Sequence, residues 1–328
     1  MHSCSPKPPL NQQTLSKENS FQTASILEFT GGPKAGTVKT IAYNKEDLQV
    51  KDATTVAKMK DHLWLLSRMS TSDSLKDEFG RKRQSPIHSW TAYNIATSSN
   101  EQIPALTNVG YCQVIDAPPT ELQTVYTLLK NSIRIADVVL QEDVVIVFDL
   151  AIYAKALEVM WRSQADFERV VVRLGEFHTA CMFMAVIGKR FGDAGLNDIL
   201  IEAGLVGSGS VNGVINGKHY NRALRCHKVV LEALFSLHWK EFLNWVMDKE
   251  HFDASLKQEL RELMHNLQDN CNADNMMFVL GNNSFKLLFT KYTQYRDEME
   301  GPMALVWMSY LDMVLLLLRF IRATWEGN

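Results

Sequence analysis

The chain has 328 residues, of which 46% are hydrophobic and 22% charged, and its formal net charge is −3. These values are typical of a soluble globular protein, and the length is sufficient to bury a core without disulfides or metal ions. The small net charge excludes the overall basic character of many nucleic-acid-binding proteins. Any contact with nucleic acid would therefore need a local basic patch.

Cysteine usage indicates an intracellular protein. The five cysteines stand far apart and form no CxxC pair, and the polar, Pro-rich N-terminus has no apolar segment of the secretory type. An odd number of isolated cysteines without a secretory signal is typical of a reducing compartment.

The N-terminal third carries weak structural signals. Residues 1–24 are polar and contain few large apolar side chains, so we predict a disordered tail. Between residues 25 and 108 the clearest pattern is a helix at 52–69, where Val56, Met59, Leu63, Leu66 and Met69 recur at helical spacing. The sequence thus predicts a weakly structured region with one helix.

From residue 109 the pattern predicts an α/β segment. VGYCQVID (109–116) reads as a strand, and Thr120 followed by Gln123 is a capping-box signature for the next helix. We then expect two strands, each followed by a helix: strand 143–148, helix 150–162, strand 169–174 and helix 177–191. Such short connections imply parallel pairing and a right-handed crossover, and the continuous apolar strands suggest burial on both faces.

Beyond residue 196 the chain reads as helical. The expected helices cover 195–204, 219–247, 254–269, 284–299 and 303–325. The most apolar stretch, 303–320, contains Asp312 in its middle, and a carboxylate at that depth is costly in a bilayer. We therefore predict a helix buried in protein rather than a membrane span.

The Gly-rich stretch GLVGSGSVNGVINGK (204–218) invites comparison with phosphate-binding loops. The Walker pattern needs a Gly where Asn212 stands, and a Ser or Thr where His219 follows Lys218. No convincing strand precedes it, although this chemistry requires one. The stretch is predicted to be a turn-rich loop.

Two further groups of side chains have more than one reading. His178 and Cys181 have an HxxC spacing, but no second pair completes a tetrahedral zinc site, which favours a packing role for Cys181. A second group consists of the basic run Arg81-Lys82-Arg83 and the scattered bases Lys189, Arg190, Lys218, Arg222, Arg225 and Lys228. The last four lie on or near one predicted helix and form either a solvated face or a phosphate-binding ridge.

Asp149 directly follows the strand at 143–148. A carboxylate at the carboxyl end of a parallel strand faces the crevice where open α/β sheets bind ligands, and Mg²⁺ prefers such oxygen ligands. Asp is also a favoured N-cap, and Asp149 immediately precedes a helix. The residues alone favour the N-cap and leave the metal ligand open.

Several stretches resemble a family of uncharacterised, transposon-derived proteins that are repeated in many animal genomes. Together they span roughly residues 86–328. The matching stretches are SWTAYN (89–94), GYCQVIDAPPTELQTVYTLL (110–129), VVIVFDLAIYAKALEVMW (144–161), LGEFHTACMFMAVIGKRFGDAGLNDILIEAGLVGSGSVNG (174–213) and YLDMVLLLLRFIRATWEGN (310–328). The order strand, Asp149, helix, strand, His178, helix also resembles the second half of RNase H-like transposase cores, such as those of Mutator-like elements.

This resemblance implies an α/β fold, mostly helical overall, with a partial RNase H-like sheet, a parallel βαβ unit and a helical C-terminal region. It implies that Asp149 is a catalytic carboxylate that binds Mg²⁺ or Mn²⁺, and that His178 supports the site. Asp116 is the nearest candidate for the first carboxylate, although the segment between it and Asp149 contains a helix and lacks the expected hairpin. Four regions follow: the tail 1–24, the weakly structured 25–108, the RNase H-like core 109–195 and the helical 196–328.

The implied function is DNA strand cleavage or transfer by metal-dependent phosphoryl transfer. Family members continue past Asn328, so the resemblance implies a truncated or decayed copy that lacks a third carboxylate. The expected partner is DNA, with self-association as a further expectation and neither a membrane nor a small-molecule cofactor. We expect a nuclear location for a transposase-like protein and a cytoplasmic one otherwise. The alternative is a non-catalytic, helical protein-interaction module.

Overall fold

The computed structural model describes residues 22–23, 26–29, 50–69, 89–98, 108–248 and 254–326. Within these ranges the protein is mostly helical, with a small two-stranded parallel sheet, which confirms the predicted mostly helical α/β class. Residues 1–21 of the predicted disordered tail and the basic run Arg81–Arg83 lie outside the described residues.

Twelve helices occur in the described ranges. They are α1 Val50–Met69, α2 Trp90–Ala96, α3 Leu122–Val138, α4 Leu150–Arg162, α5 Glu176–Phe191, α6 Asn197–Glu202, α7 Val211–Ile215, α8 Tyr220–Asp248, α9 Ala254–Asp269, α10 Ala273–Gly281, α11 Asn283–Asp297 and α12 Pro302–Glu326. The strands are β1 Gln22–Thr23, β2 Ile26–Phe29, β3 Asn108–Tyr111, β4 Ile115–Asp116, β5 Val144–Phe148 and β6 Val170–Leu174.

The chain divides into two compact units. The α/β unit comprises Met1–Lys39 with Ile103–Thr179, and the helical unit comprises Thr40–Gln102 with Ala180–Asn328. The boundary falls within α5, and α1 groups with the C-terminal helices although more than a hundred residues separate them.

The sheet of the α/β unit pairs β5 with β6 in parallel. The register runs from Val144 opposite Val170 to Phe148 opposite Leu174, as the short connections predict. Val144, Ile146 and Phe148 are buried in a core that includes side chains of α3 and α4.

The expectation that both sheet faces are buried is wrong for the described residues. Val145 and Val147 are each 51% exposed and Val171 is 49% exposed. Side chains alternate across a strand, and both α3 and α4 belong to the core on the face of Ile146. The opposite face therefore keeps its valines at the surface.

The segment before α3 also differs from the prediction. The single strand expected at 109–116 is two short strands, β3 and β4, which pair antiparallel with β2 and β1 respectively. The predicted capping box is wrong as well. The N-cap of α3 is Glu121 rather than Thr120, and its side chain accepts no hydrogen bond from the first turn of the helix. Alternating apolar residues predict extended structure but do not specify how many partner strands it has.

The helical unit packs α1 and α7–α12 around a large apolar core. The helices predicted at 219–247, 254–269, 284–299 and 303–325 are confirmed, and α8 is unbroken. The helix predicted at 195–204 is shorter, because the chain kinks at Gly195, whose φ is +108°, and α6 covers only Asn197–Glu202. The short helices α2, α7 and α10 were not predicted. Short helices carry too few periodic positions for sequence recognition.

Helix α12 contributes Tyr310, Leu311, Val314, Leu317 and Leu318 to the core of the helical unit. By length and composition alone, Pro302–Trp325 also qualifies as a candidate membrane span, with a hydropathy of 1.8 and 44% of its most apolar window buried inside the protein.

Candidate functional site

The candidate site lies where β5 and β6 end. The N–H of Gly175 donates to the carbonyl of Phe148 at 2.8 Å and extends the parallel ladder by one residue. The two strand-to-helix corners, at Asp149 and Gly175, are therefore neighbours at one edge of the sheet. This is the juxtaposition that the parallel βαβ order predicts.

Asp149 is the N-cap of α4. Its Oδ1 accepts a hydrogen bond from the backbone N–H of Ile152 at 2.9 Å, and its backbone is extended (φ −69°, ψ 170°). This geometry satisfies one of the four unpaired N–H groups at a helix start. The side chain is exposed, and the N-cap reading of Asp149 is confirmed.

His178 lies in the first turn of α5, half-buried. Its ring meets that of Phe177 edge to face, with 5.5 Å between the centroids. A Cβ added to Gly175 would lie 3.4 Å from the carbonyl oxygen of Phe148 and 3.9 Å from the His178 ring, which are ordinary van der Waals distances, so the corner has room for a small side chain.

Asp116 is placed differently. It is exposed, ends β4 and stands opposite Gln22 in an antiparallel pair. Asp116 and Asp149 therefore belong to separate two-stranded sheets. In the ranges that the structure describes, no group of three or more His, Cys, Asp or Glu side chains could hold a metal ion. The described residues thus offer no complete ligand set around Asp149.

Gly217 in the Gly-rich stretch and Gly188 in α5 mark where these two segments pack closely. Gly217 has a φ of +66°, and a Cβ there would lie 2.2 Å from the carbonyl oxygen of Cys181. A Cβ on Gly188 would lie 2.1 Å from the carbonyl oxygen of Ile215. Both glycines allow α5 and the segment around α7 to approach through their backbones, so packing accounts for Gly217.

Cys181 of the HxxC pair belongs to no group of three or more potential metal ligands among the described side chains. Cys181 is half-buried, and burial raises the pKa of its thiol. Burial also raises the pKa of Cys226, against the opposing influence of Arg225 and Arg222. A raised pKa favours the protonated thiol, which is a poor nucleophile and metal ligand.

Sequence reasoning missed a buried ion pair in the helical unit. Nη1 of Arg322 donates to Oδ1 of Asp61 at 2.6 Å, and both side chains are almost completely buried. Arg322 also donates to Oδ1 of Asn94 at 3.3 Å and to the carbonyl of Ala57 at 3.3 Å. Burial raises the pKa of Asp61, and the guanidinium of Arg322 opposes this rise. The sequence signal was an Arg within the most apolar helix of the chain.

Three buried histidines were also missed. Burial lowers the pKa of His62, His227 and His238 to about 4. Nδ1 of His227 lies 2.9 Å from the hydroxyl of Tyr310, and the rings of Phe235, Phe289 and Tyr292 surround His62 edge to face. These histidines are neutral packing residues, and their helical spacing from apolar neighbours was the available signal.

Comparison with known proteins gives one match. Residues 89–328 match a family model described as "Domain of unknown function (DUF8702)". No curated protein and no solved structure matches the chain.

Proposed function

The chain belongs to the DUF8702 family, and we propose that it is a non-catalytic binding module derived from an RNase H-like transposase core. The observation that carries the non-catalytic part is the hydrogen bond from the Ile152 N–H to Asp149. The best-placed carboxylate of the chain has a structural role as a helix cap. A carboxylate in this role needs no metal to account for its position.

The arrangement of β5, α4, β6 and α5 supports the transposase part of the proposal. Two parallel strands, each running into a helix, bring Asp149 and the His178 segment to one sheet edge. This order resembles the second half of RNase H-like cores. A two-metal phosphoryl transfer needs several convergent oxygen ligands, and among the described residues Asp149 has no such group around it.

The one-sided sheet supports the binding part of the proposal. The exposed valines of β5 and β6 are contiguous on one face, and apolar surface of this kind is more typical of contacts with other molecules than of a solvated exterior. A module of this origin that contacts DNA would work in the nucleus, which imaging of the tagged full-length chain would check.

A calorimetric Mn²⁺ titration of the full chain and of Asp149→Asn tests the proposal. Asn is as good an N-cap as Asp, so Asp149→Asn removes the charge and keeps the cap. We expect the same Mn²⁺ heats for both proteins and stabilities within about 0.5 kcal/mol. Asp149→Ala removes the cap and should cost about 1 kcal/mol.

The contrary result would be Mn²⁺ binding by the unmodified chain that Asp149→Asn abolishes while its stability is unchanged. That outcome would assign a metal to Asp149 and favour the catalytic reading, with DNA strand cleavage as the reaction to assay. If the unmodified chain and Asp149→Asn bind Mn²⁺ equally, the metal site lies elsewhere and Asp149 acts as a helix cap.

A further inference from the structure

Two segments of the helical unit carry bases and no acids. Residues 203–231 contain Lys218, Arg222, Arg225 and Lys228 but no Asp or Glu. Residues 180–192 contain Lys189 and Arg190, again without an acidic residue. For a chain with a net charge of −3, this is a marked local excess of positive charge.

The tertiary structure brings these two segments together. The backbone of Ile215 lies against Gly188 of α5, one residue before Lys189. The backbone of Cys181 lies against Gly217, one residue before Lys218. The contacts at both glycines show that α5 packs against the segment 215–217, which directly precedes α8.

The bases at the start of α8 are accessible. Lys218, Arg222 and Arg225 are exposed. Lys218 lies two residues before α8 begins, and the interval of three residues between Arg222 and Arg225 places their side chains on the same side of the helix. Lys228 is half-buried, and burial lowers its pKa. Lys189 and Arg190 are exposed as well. We define the basic face as Lys218, Arg222 and Arg225.

Acidic side chains do not neutralise the arginines of this face within the described part of the chain. Other arginines of the helical unit are paired: Arg68 lies 2.9 Å from Glu232, and Arg296 lies 2.7 Å from Asp312. Among the described residues, Arg222 and Arg225 form no ion pair. The N-terminus of the 29-residue helix α8 adds partial positive charge beside them.

We infer that the basic face binds the sugar-phosphate backbone of duplex nucleic acid without reading its sequence. Arginine matches the oxygens of phosphate with two parallel N–H donors, and uncompensated bases gain affinity by releasing counterions. Single-stranded bases stack on aromatic side chains, and the two segments have no exposed Phe, Tyr or Trp for this, although the ring of His219 is exposed. The contacts therefore favour a duplex backbone over a single strand.

The test is the affinity of the full chain for a labelled duplex of mixed sequence, measured by fluorescence anisotropy in EDTA at salt concentrations from about 50 to about 200 mM. Arg222→Gln with Arg225→Gln should weaken binding roughly tenfold and reduce the magnitude of the salt slope by about 2, because two phosphate contacts are lost. Arg222→Lys with Arg225→Lys keeps the charge, so the slope should remain near that of the unmodified chain.

The matched control is Lys257→Gln with Arg261→Gln on α9. These bases are also exposed and lie in the helical unit, but Glu259 and Glu262 interleave with them. The control removes the same charge and should change affinity less than twofold. Circular dichroism of every variant checks that the helices remain folded.

Three outcomes would overturn the inference. They are absence of binding at the lowest salt, equal losses in the α8 and α9 pairs, and displacement of the duplex by polyglutamate at equal charge. The last result would assign the face to an acidic protein segment. Because EDTA removes divalent metals, the assay is independent of Asp149, and either proposal can fail without the other.

Discussion

Among the described residues, the α/β unit leaves its ionisable side chains exposed or half-buried, whereas the helical unit buries an ion pair and three histidines. In the α/β unit Asp149 and Asp116 are exposed, and the buried positions of β5 are apolar. In the helical unit Asp61 and Arg322 pair inside the core. The first arrangement follows from local sequence patterns, while the second depends on partners brought together by folding.

This difference predicts which substitutions should destabilise each unit. A buried charge depends on its partner, since removing one member leaves the other without compensation. An exposed side chain on a one-sided sheet makes few contacts, so its replacement changes little. Three substitutions test this contrast, in order of decreasing expected effect.

The largest effect should come from Arg322→Met. It leaves Asp61 buried without its main partner and should lower the free energy of unfolding of the helical unit by about 3–5 kcal/mol. Hydrogen exchange of the amides of α1 and α12 measures this effect in the unit concerned.

The double variant Asp61→Leu with Arg322→Met is the control for Arg322→Met. Replacing both charges by apolar groups removes the uncompensated carboxylate and should restore most of the lost stability. If Arg322→Met alone cost less than about 1 kcal/mol, or if the double variant were no better, the ion pair would not control the stability of the helical unit.

The second effect concerns pH. The native pKa of His62 is about 4, below its ordinary value of 6.5, so the unfolded chain takes up protons first as the pH falls. The contribution of each such histidine to the free energy of unfolding is fully present above pH 6.5. It falls by about 3 kcal/mol as the pH is lowered to 4. His62→Phe replaces one of the three buried histidines by a ring that suits its aromatic neighbours, and should reduce the acid-induced loss by about a third.

Urea unfolding of the full chain at several pH values between 4 and 7 measures this loss. His265→Gln serves as the comparison, because the side chain of His265 is 73% exposed. It should leave the pH dependence nearly unchanged. An equal reduction in both variants would show that burial of His62 is not the cause.

The smallest effect should come from Val145→Thr. Val145 is 51% exposed and its neighbour Val144 is 7% exposed, although both lie in β5. Val145→Thr should change stability by less than about 0.5 kcal/mol, whereas Val144→Thr buries a hydroxyl and should cost about 1–3 kcal/mol.

Hydrogen exchange of the β5 and β6 amides distinguishes the two threonine variants. A large loss for Val145→Thr would mean that the valine face of the sheet is covered in solution, and the contrast between the two units would then be smaller than the structure indicates.

Much of the fold followed from pattern alone. Helix α4 occupies the residues predicted for it, 150–162, because a capping Asp precedes an apolar periodicity that ends before a polar segment. The parallel pairing of β5 and β6 was predictable because short strand–helix–strand connections allow few arrangements. Burial on both sheet faces was not, because an apolar run does not reveal whether helices cover one face or two.

The candidate site was predictable only in part. Strand order placed Asp149 at the sheet edge, and its local position suggested the helix cap that its hydrogen bond with the Ile152 N–H provides. Whether other carboxylates converge on Asp149 depends on pairings between distant segments, and Asp116 belongs to a different sheet. A single sequence contains no record of such pairings.

The sequence by itself determined the long helices, the two parallel strands and the cap at Asp149, because each depends on side chains within a few residues of one another. Only the tertiary structure decided that Asp61 meets Arg322, 261 residues away, and that Gly188 and Gly217 bring α5 against the segment 215–217. Those contacts depend on packing between distant segments, where a missing Cβ or an opposite charge matters only once the chain has folded.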